Sequence, residues 1–130
     1  MLRLRRLTPA LIAIGALAGC GPPGIDAPAD KGVCWTMDTD KAGKATFHKI
    51  AENVQNLEHC AANLEALRLK FIGLGGNRTE LDGVYQGVFI YVRREGIFSS
   101  ADSNKQPYLA LVRTNDGRLV VPGAQSQSAP

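Results

Sequence analysis

The stretch "DGVYQGVFIYVRR", residues 82–94, decides the fold class. It is dense in β-branched and aromatic residues, which suit a pleated, half-buried surface, and it reads as a strand centred on residues 84–92. Strand side chains alternate between faces. Val84, Val88, Ile90 and Val92 are therefore expected on one side, with Tyr85, Gly87, Phe89 and Tyr91 on the other. The aliphatic side should pack on a helix. The aromatic side has two readings: Trp35 and the N-terminal segment cover it as a second small core, or it stays open as a ligand surface. Tyr and Trp offer large contact area with a polar edge, so Trp35, Tyr85, Phe89 and Tyr91 are the candidate ligand or partner residues.

On the C-terminal side the two-residue period continues. "REG" (94–96) can turn the chain back into "IFSS" (97–100). "PYLALVRT" (107–114) and "RLVVP" (118–122) flank "NDG" (115–117), a strong hairpin signal. On the N-terminal side the period is helical. Phe47, Ile50, Val54, Leu57, Ala61, Leu64 and Phe71 recur at spacings of three and four. Asn56 is a good N-cap and divides this run, which predicts a short helix over 45–53 and a firmer one over 57–72, with Gly73 as its C′ residue. The expected architecture is α+β: one or two helices packed on an antiparallel sheet of about four strands, in two layers.

The N-terminus carries a different kind of information. Arg3, Arg5 and Arg6 precede a largely apolar run over 7–18, and no acidic residue occurs before Asp26. A basic n-region followed by a short apolar h-region reads as a secretory signal. The run is too short for a permanent membrane span, which needs about 20 residues. Leu17-Ala18-Gly19-Cys20 resembles the lipobox of bacterial lipoproteins. That resemblance implies cleavage after Gly19 and a diacylglycerol on the Cys20 thiol, with palmitate-type chains anchoring the protein in a bilayer. One acyl chain binds a membrane marginally, whereas two or three hold it stably. Gly21 stands where enterobacterial lipoproteins retained in the inner membrane carry Asp, so the resemblance implies the outer membrane, facing the periplasm.

Removing residues 1–19 changes the charge balance. The chain has 15 basic and 12 acidic residues, a net +3, and three of the arginines belong to the leader. The remainder is neutral and lacks the basic excess of a nucleic-acid binder. The expected organisation is a signal peptide (1–19), a lipidated cysteine and flexible tether (20–32), a small domain (33–122) and a disordered tail (123–130). "GPPGIDAPADKG" (21–32) would span roughly 35–40 Å if semi-extended.

Three cysteines are present. Export favours pairing Cys34 with Cys60. In the chain-entropy model, closing that loop is worth about 3.5 kcal/mol. The alternative is a reactive thiol pair, but there is no Cys-x-x-Cys.

Candidate chemistry is thin. His48, Glu52 and His59 would share a stripe on an unbroken helix, but the spacing is not His-Glu-x-x-His. "GLGGNR" (73–78) follows a helix and opens a strand, the reverse of a phosphate loop. Ser99, Ser100 and Ser103 lack a nucleophile motif. No metal, cofactor or catalytic set is expected, and the chain is read as non-enzymatic.

The stretches "NLEHCAANLE" (56–65) and "GVYQGVFIYV" (83–92) resemble the small, functionally uncharacterised lipoproteins of alphaproteobacterial type. The helix-then-meander layout is similar to the lipoprotein accessory of the outer-membrane β-barrel assembly machine, without that family's sequence motif. Lipoprotein inhibitors of lysozyme share an anchor and a disulfide but are all-β, and the helical segment counts against them. The expected function is a membrane-anchored accessory subunit docking on an envelope protein complex. The alternative is a module binding peptidoglycan or another envelope ligand through the aromatic face.

Overall fold

The structure, a computed structural model, describes residues 24–124. The leader, Cys20 and most of the expected tail lie outside the described residues. Among the described residues, seven strands and one helix follow in the order β1 (Cys34–Thr39), β2 (Ala45–Ala51), α1 (Leu57–Gly73), β3 (Leu81–Tyr85), β4 (Val88–Val92), β5 (Ile97–Ser100), β6 (Tyr108–Arg113) and β7 (Leu119–Val120). The strands form an antiparallel sheet in the order β2-β1-β3-β4-β5-β6-β7. The chain is a meander interrupted once, where α1 lies across one face between β2 and β3. The α+β class is as expected, but the sheet has seven strands rather than about four.

Of the three additional strands, β1 forms from residues to which the pattern assigned no element, and β2 from residues read as a helix. The short helix over 45–53 is not present: β2 occupies that stretch and pairs with β1 along its length. Phe47 and Ile50 are three apart, which suggested a helix. In the strand their side chains fall on opposite faces, Phe47 in the core away from α1 and Ile50 in the core beneath it. A strand covered on both sides can mimic helical spacing. Asp40 organises the β1–β2 turn, its carboxylate accepting from the backbone N–H groups of Ala42 and Lys44.

The third arises from dividing the strand predicted over 84–92. Gln86 and Gly87 both have left-handed φ, +46° and +80°. They form the two-residue turn that joins β3 to β4, the turn geometry that matches strand twist. The Gln86 side chain accepts the Gly32 N–H at 2.8 Å, tying this turn to the start of β1. The turn reverses parity for the residues before it. Tyr85 pairs with Val88 and Val84 with Phe89. Tyr85 therefore joins Ile90 and Val92 beneath the helix, while Val84 joins Phe89 on the other face. The expected positions of Val88, Ile90, Val92, Phe89 and Tyr91 agree with the structure, and those of Val84 and Tyr85 are exchanged.

Helix α1 begins where the sequence indicated, with the Asn56 side chain accepting the His59 N–H at 2.8 Å. It ends one residue later than predicted, and its C′ residue lies two positions further on. Gly73 is still helical, and the left-handed residue is Gly75, with φ +82°. Gly75 donates to the Ile72 carbonyl and Gly76 to that of Phe71, a Schellman closure. A Cβ on Gly76 would stand 2.8 Å from the Phe71 oxygen, so the closure requires glycine there.

The helix packs through Cys60, Ala61 and Leu64 onto Leu81, Tyr85, Ile90, Val92, Ile97 and Leu111. It comes closest at Gly83, where an added Cβ would lie 2.5 Å from Leu64 Cδ1. The opposite face holds Met37, Val84 and Phe89, bordered by Trp35, Ala45, Phe47 and Tyr91.

Candidate interaction surfaces

Cys34 on β1 and Cys60 on α1 are bonded, with Cα atoms 5.4 Å apart and both side chains fully buried. The bond joins the first strand to the first turn of the helix. Beside it the Tyr85 hydroxyl donates to the Val54 carbonyl at 2.7 Å, fixing the segment that enters the helix.

The four aromatic candidates do not form one surface. Tyr85 is buried on the helix side. Phe89 is only 2% exposed. Ile25 and Ala27 pack on its cluster together with Trp35 and Tyr91. Tyr91 stacks on Phe89 with ring centroids 6.4 Å apart, and the Arg93 guanidinium lies 5.4 Å from the Tyr91 ring.

The cover over this face is the segment read as a flexible tether. Residues 24–32 follow the sheet instead. The Ile25 N–H donates to Ser103 Oγ at 2.8 Å, the Pro28 carbonyl accepts from Gly87, and the Gly32 carbonyl accepts from Val54. The segment is poor in large apolar residues, yet these hydrogen bonds and the Ile25 and Ala27 side chains seat it.

The charged centre of the molecule is Glu65, which lies on α1 and is buried. Arg68 Nε and Nη2 donate to its carboxylate at 2.8 and 2.9 Å, and Arg113 Nε and Nη2 at 2.7 and 2.8 Å. Burial alone would raise the Glu65 pKa. The two guanidinium forks outweigh it and hold the carboxyl at about 2. Arg113 Nη1 also donates to the Arg93 and Arg94 carbonyls, so the network ties α1 to β6 and to the β4–β5 turn.

Between α1 and the β6–β7 hairpin runs an open groove of ≈ 790 Å³. Its walls are mainly apolar, including Ala62, Ala66, Leu69, Leu111, Leu119 and Val121. Leu69 and Val121 are 53% and 58% exposed on its rim. Sequence reading missed this surface because Leu69 falls off the periodic apolar stripe of the helix. That displacement, with the consecutive Val120 and Val121 after the hairpin, was the available signal.

The remaining polar candidates are dispersed. His48 lies on β2, Glu52 just beyond it and His59 on α1, so the three do not share a helical face. His48 Nε2 is 3.8 Å from Asp38, which also pairs with Arg78. Glu52 pairs with Lys49. Among the described residues no group of three His, Cys, Asp or Glu is placed to hold a metal ion. Ser99 donates to the Phe89 carbonyl, Ser100 to that of Asp102, and Ser103 serves the N-terminal segment. Among the described residues no helix is long and apolar enough to cross a membrane. No protein-family model matches the chain, and comparison with curated proteins and with solved structures finds no match.

Proposed function

We propose that the protein is an exported lipoprotein, anchored through acylated Cys20 to the outer membrane and facing the periplasm, which acts as a non-catalytic subunit of an envelope protein complex. The observation that carries this reading is the Cys34–Cys60 bond. It accounts for two of three cysteines and leaves Cys20, directly after the basic and apolar leader, for lipid. The α1–β7 groove supports the accessory role: its rim exposes Leu69 and Val121, and apolar rims of this kind suit a protein segment. The aromatic-face alternative is less well supported, since Tyr85 and Phe89 lie on opposite faces and both are buried.

The test is crosslinking in intact bacteria from photoreactive residues placed at Leu69 and at Val121 in the tagged full-length chain. One stoichiometric envelope protein, captured from both positions and lost from position 121 on Leu69→Asp, is the expected result. Recovery of muropeptides, or of scattered abundant proteins insensitive to Leu69→Asp, would overturn it.

A further inference from the structure

The seated N-terminal segment fixes how an anchor at Cys20 would hold the domain. Only residues 21–23 lie between Cys20 and Gly24, where the described chain begins. Four Cα steps span at most about 14 Å. A bilayer's headgroup layer is itself about 6 Å thick on each side. From Gly24 onward the chain has little slack, because Ile25 is bonded to Ser103 and Pro28 to Gly87. The anchor therefore leaves at one end of the sheet, beside the loop between β5 and β6. That end carries an apolar mark of its own. Tyr108, the first residue of β6, is 62% exposed, and Lys105 in the loop before it is also exposed. An exposed tyrosine with a neighbouring lysine is the side-chain chemistry found at membrane–water interfaces.

Resting on the lipoprotein reading above, we propose that residues 24–32 act as a clamp rather than a tether, and that the 101–108 loop and Tyr108 lie against the phospholipid headgroups of the anchoring bilayer. The opposite end, with the β1–β2 turn around Lys41, then faces away from the membrane. β1 has six residues, which separates the two ends by roughly 20 Å. The domain has a fixed orientation, and the α1–β7 groove stands beside the membrane at a set height.

The experiment uses the protein as bacteria export and process it, mixed with phosphatidylethanolamine–phosphatidylglycerol vesicles containing dansyl-phosphatidylethanolamine. Trp35, the single tryptophan, is replaced by Phe, and a new tryptophan is placed by Tyr108→Trp or by Lys41→Trp. If Trp35→Phe does not fold, Trp35 is retained and the signal of the unsubstituted protein subtracted. Energy transfer to the headgroup dansyl should be at least about threefold greater from position 108 than from position 41, given the strand-length separation. Inserting about 20 Gly and Ser residues between Pro23 and Gly24 allows a displacement near 25 Å and should bring position 108 down to the level of position 41. Equal transfer from the two positions, with the protein still floating with vesicles, would overturn the clamp and leave the lipoprotein reading standing. Failure to float, with no acyl mass on Cys20, would overturn both.

Discussion

Substituting Glu65→Gln removes one charge from the centre of a buried Arg–Glu–Arg group while keeping the side chain's shape. Glu65 accepts four hydrogen bonds from two guanidinium groups, and its side chain is 7% exposed. Its pKa falls from 4.5 in the unfolded chain to about 2 in the folded protein. A carboxyl with a depressed folded pKa contributes stability above its unfolded value and loses it as pH falls toward the folded value. At 1.36 kcal/mol per pKa unit the contribution at pH 7 is about 3 kcal/mol. It shrinks to below about 1 kcal/mol near pH 2.5. Urea unfolding of the full chain in non-ionic detergent, followed by circular dichroism, measures this directly. Glu65→Gln should lose about 3 kcal/mol at pH 7, and the gap to the unsubstituted protein should close in acid. The combined Glu65→Leu, Arg68→Met, Arg113→Met variant should be more stable than Glu65→Gln alone, because it leaves no buried cation unpaired. A Glu65→Gln loss below about 1 kcal/mol at pH 7, or a gap independent of pH, would show that the two guanidinium groups do not stabilise an ionised Glu65.

Other perturbations probe other parts of the fold. Replacing Cys34 and Cys60 together by Ser should lower stability by about 3.5 kcal/mol, read from the same unfolding curves at neutral pH. Tyr85→Phe removes the buried donor to the Val54 carbonyl and should cost about 1 kcal/mol, with faster amide exchange in residues 52–56. Gly83→Ala places a Cβ against Leu64 and the Trp35 carbonyl, and should cost about 1–3 kcal/mol, visible as a lowered melting temperature.

Much of this architecture was legible from residue patterns. Asn56, with the 57–71 apolar stripe, located the helix, and the Asn115-Asp116-Gly117 turn located the final hairpin. Counting cysteines anticipated the buried bond. What escaped reading did so for definable reasons. β2 has apolar residues on both faces, so Phe47 and Ile50 imitate a helical period. The β3–β4 turn puts Gln at a left-handed position where Asn or Gly is usual, and so conceals a hairpin inside an apparently continuous strand. The N-terminal segment is held through backbone groups, which composition does not reveal. Of the candidate surfaces, the aromatic set was grouped on a parity that the Gln86–Gly87 turn reverses. The groove depends on how β7 packs beside α1, a long-range relation that no local pattern encodes.

The most direct test of the central claim is the mass of the protein recovered from bacterial membranes, measured intact and as peptides with and without reductant. The expected product is a chain beginning at Cys20 and carrying a diacylglyceryl group, with Cys34 and Cys60 in one linked peptide. A soluble chain retaining residues 1–19, with free thiols at positions 34 and 60, would contradict it.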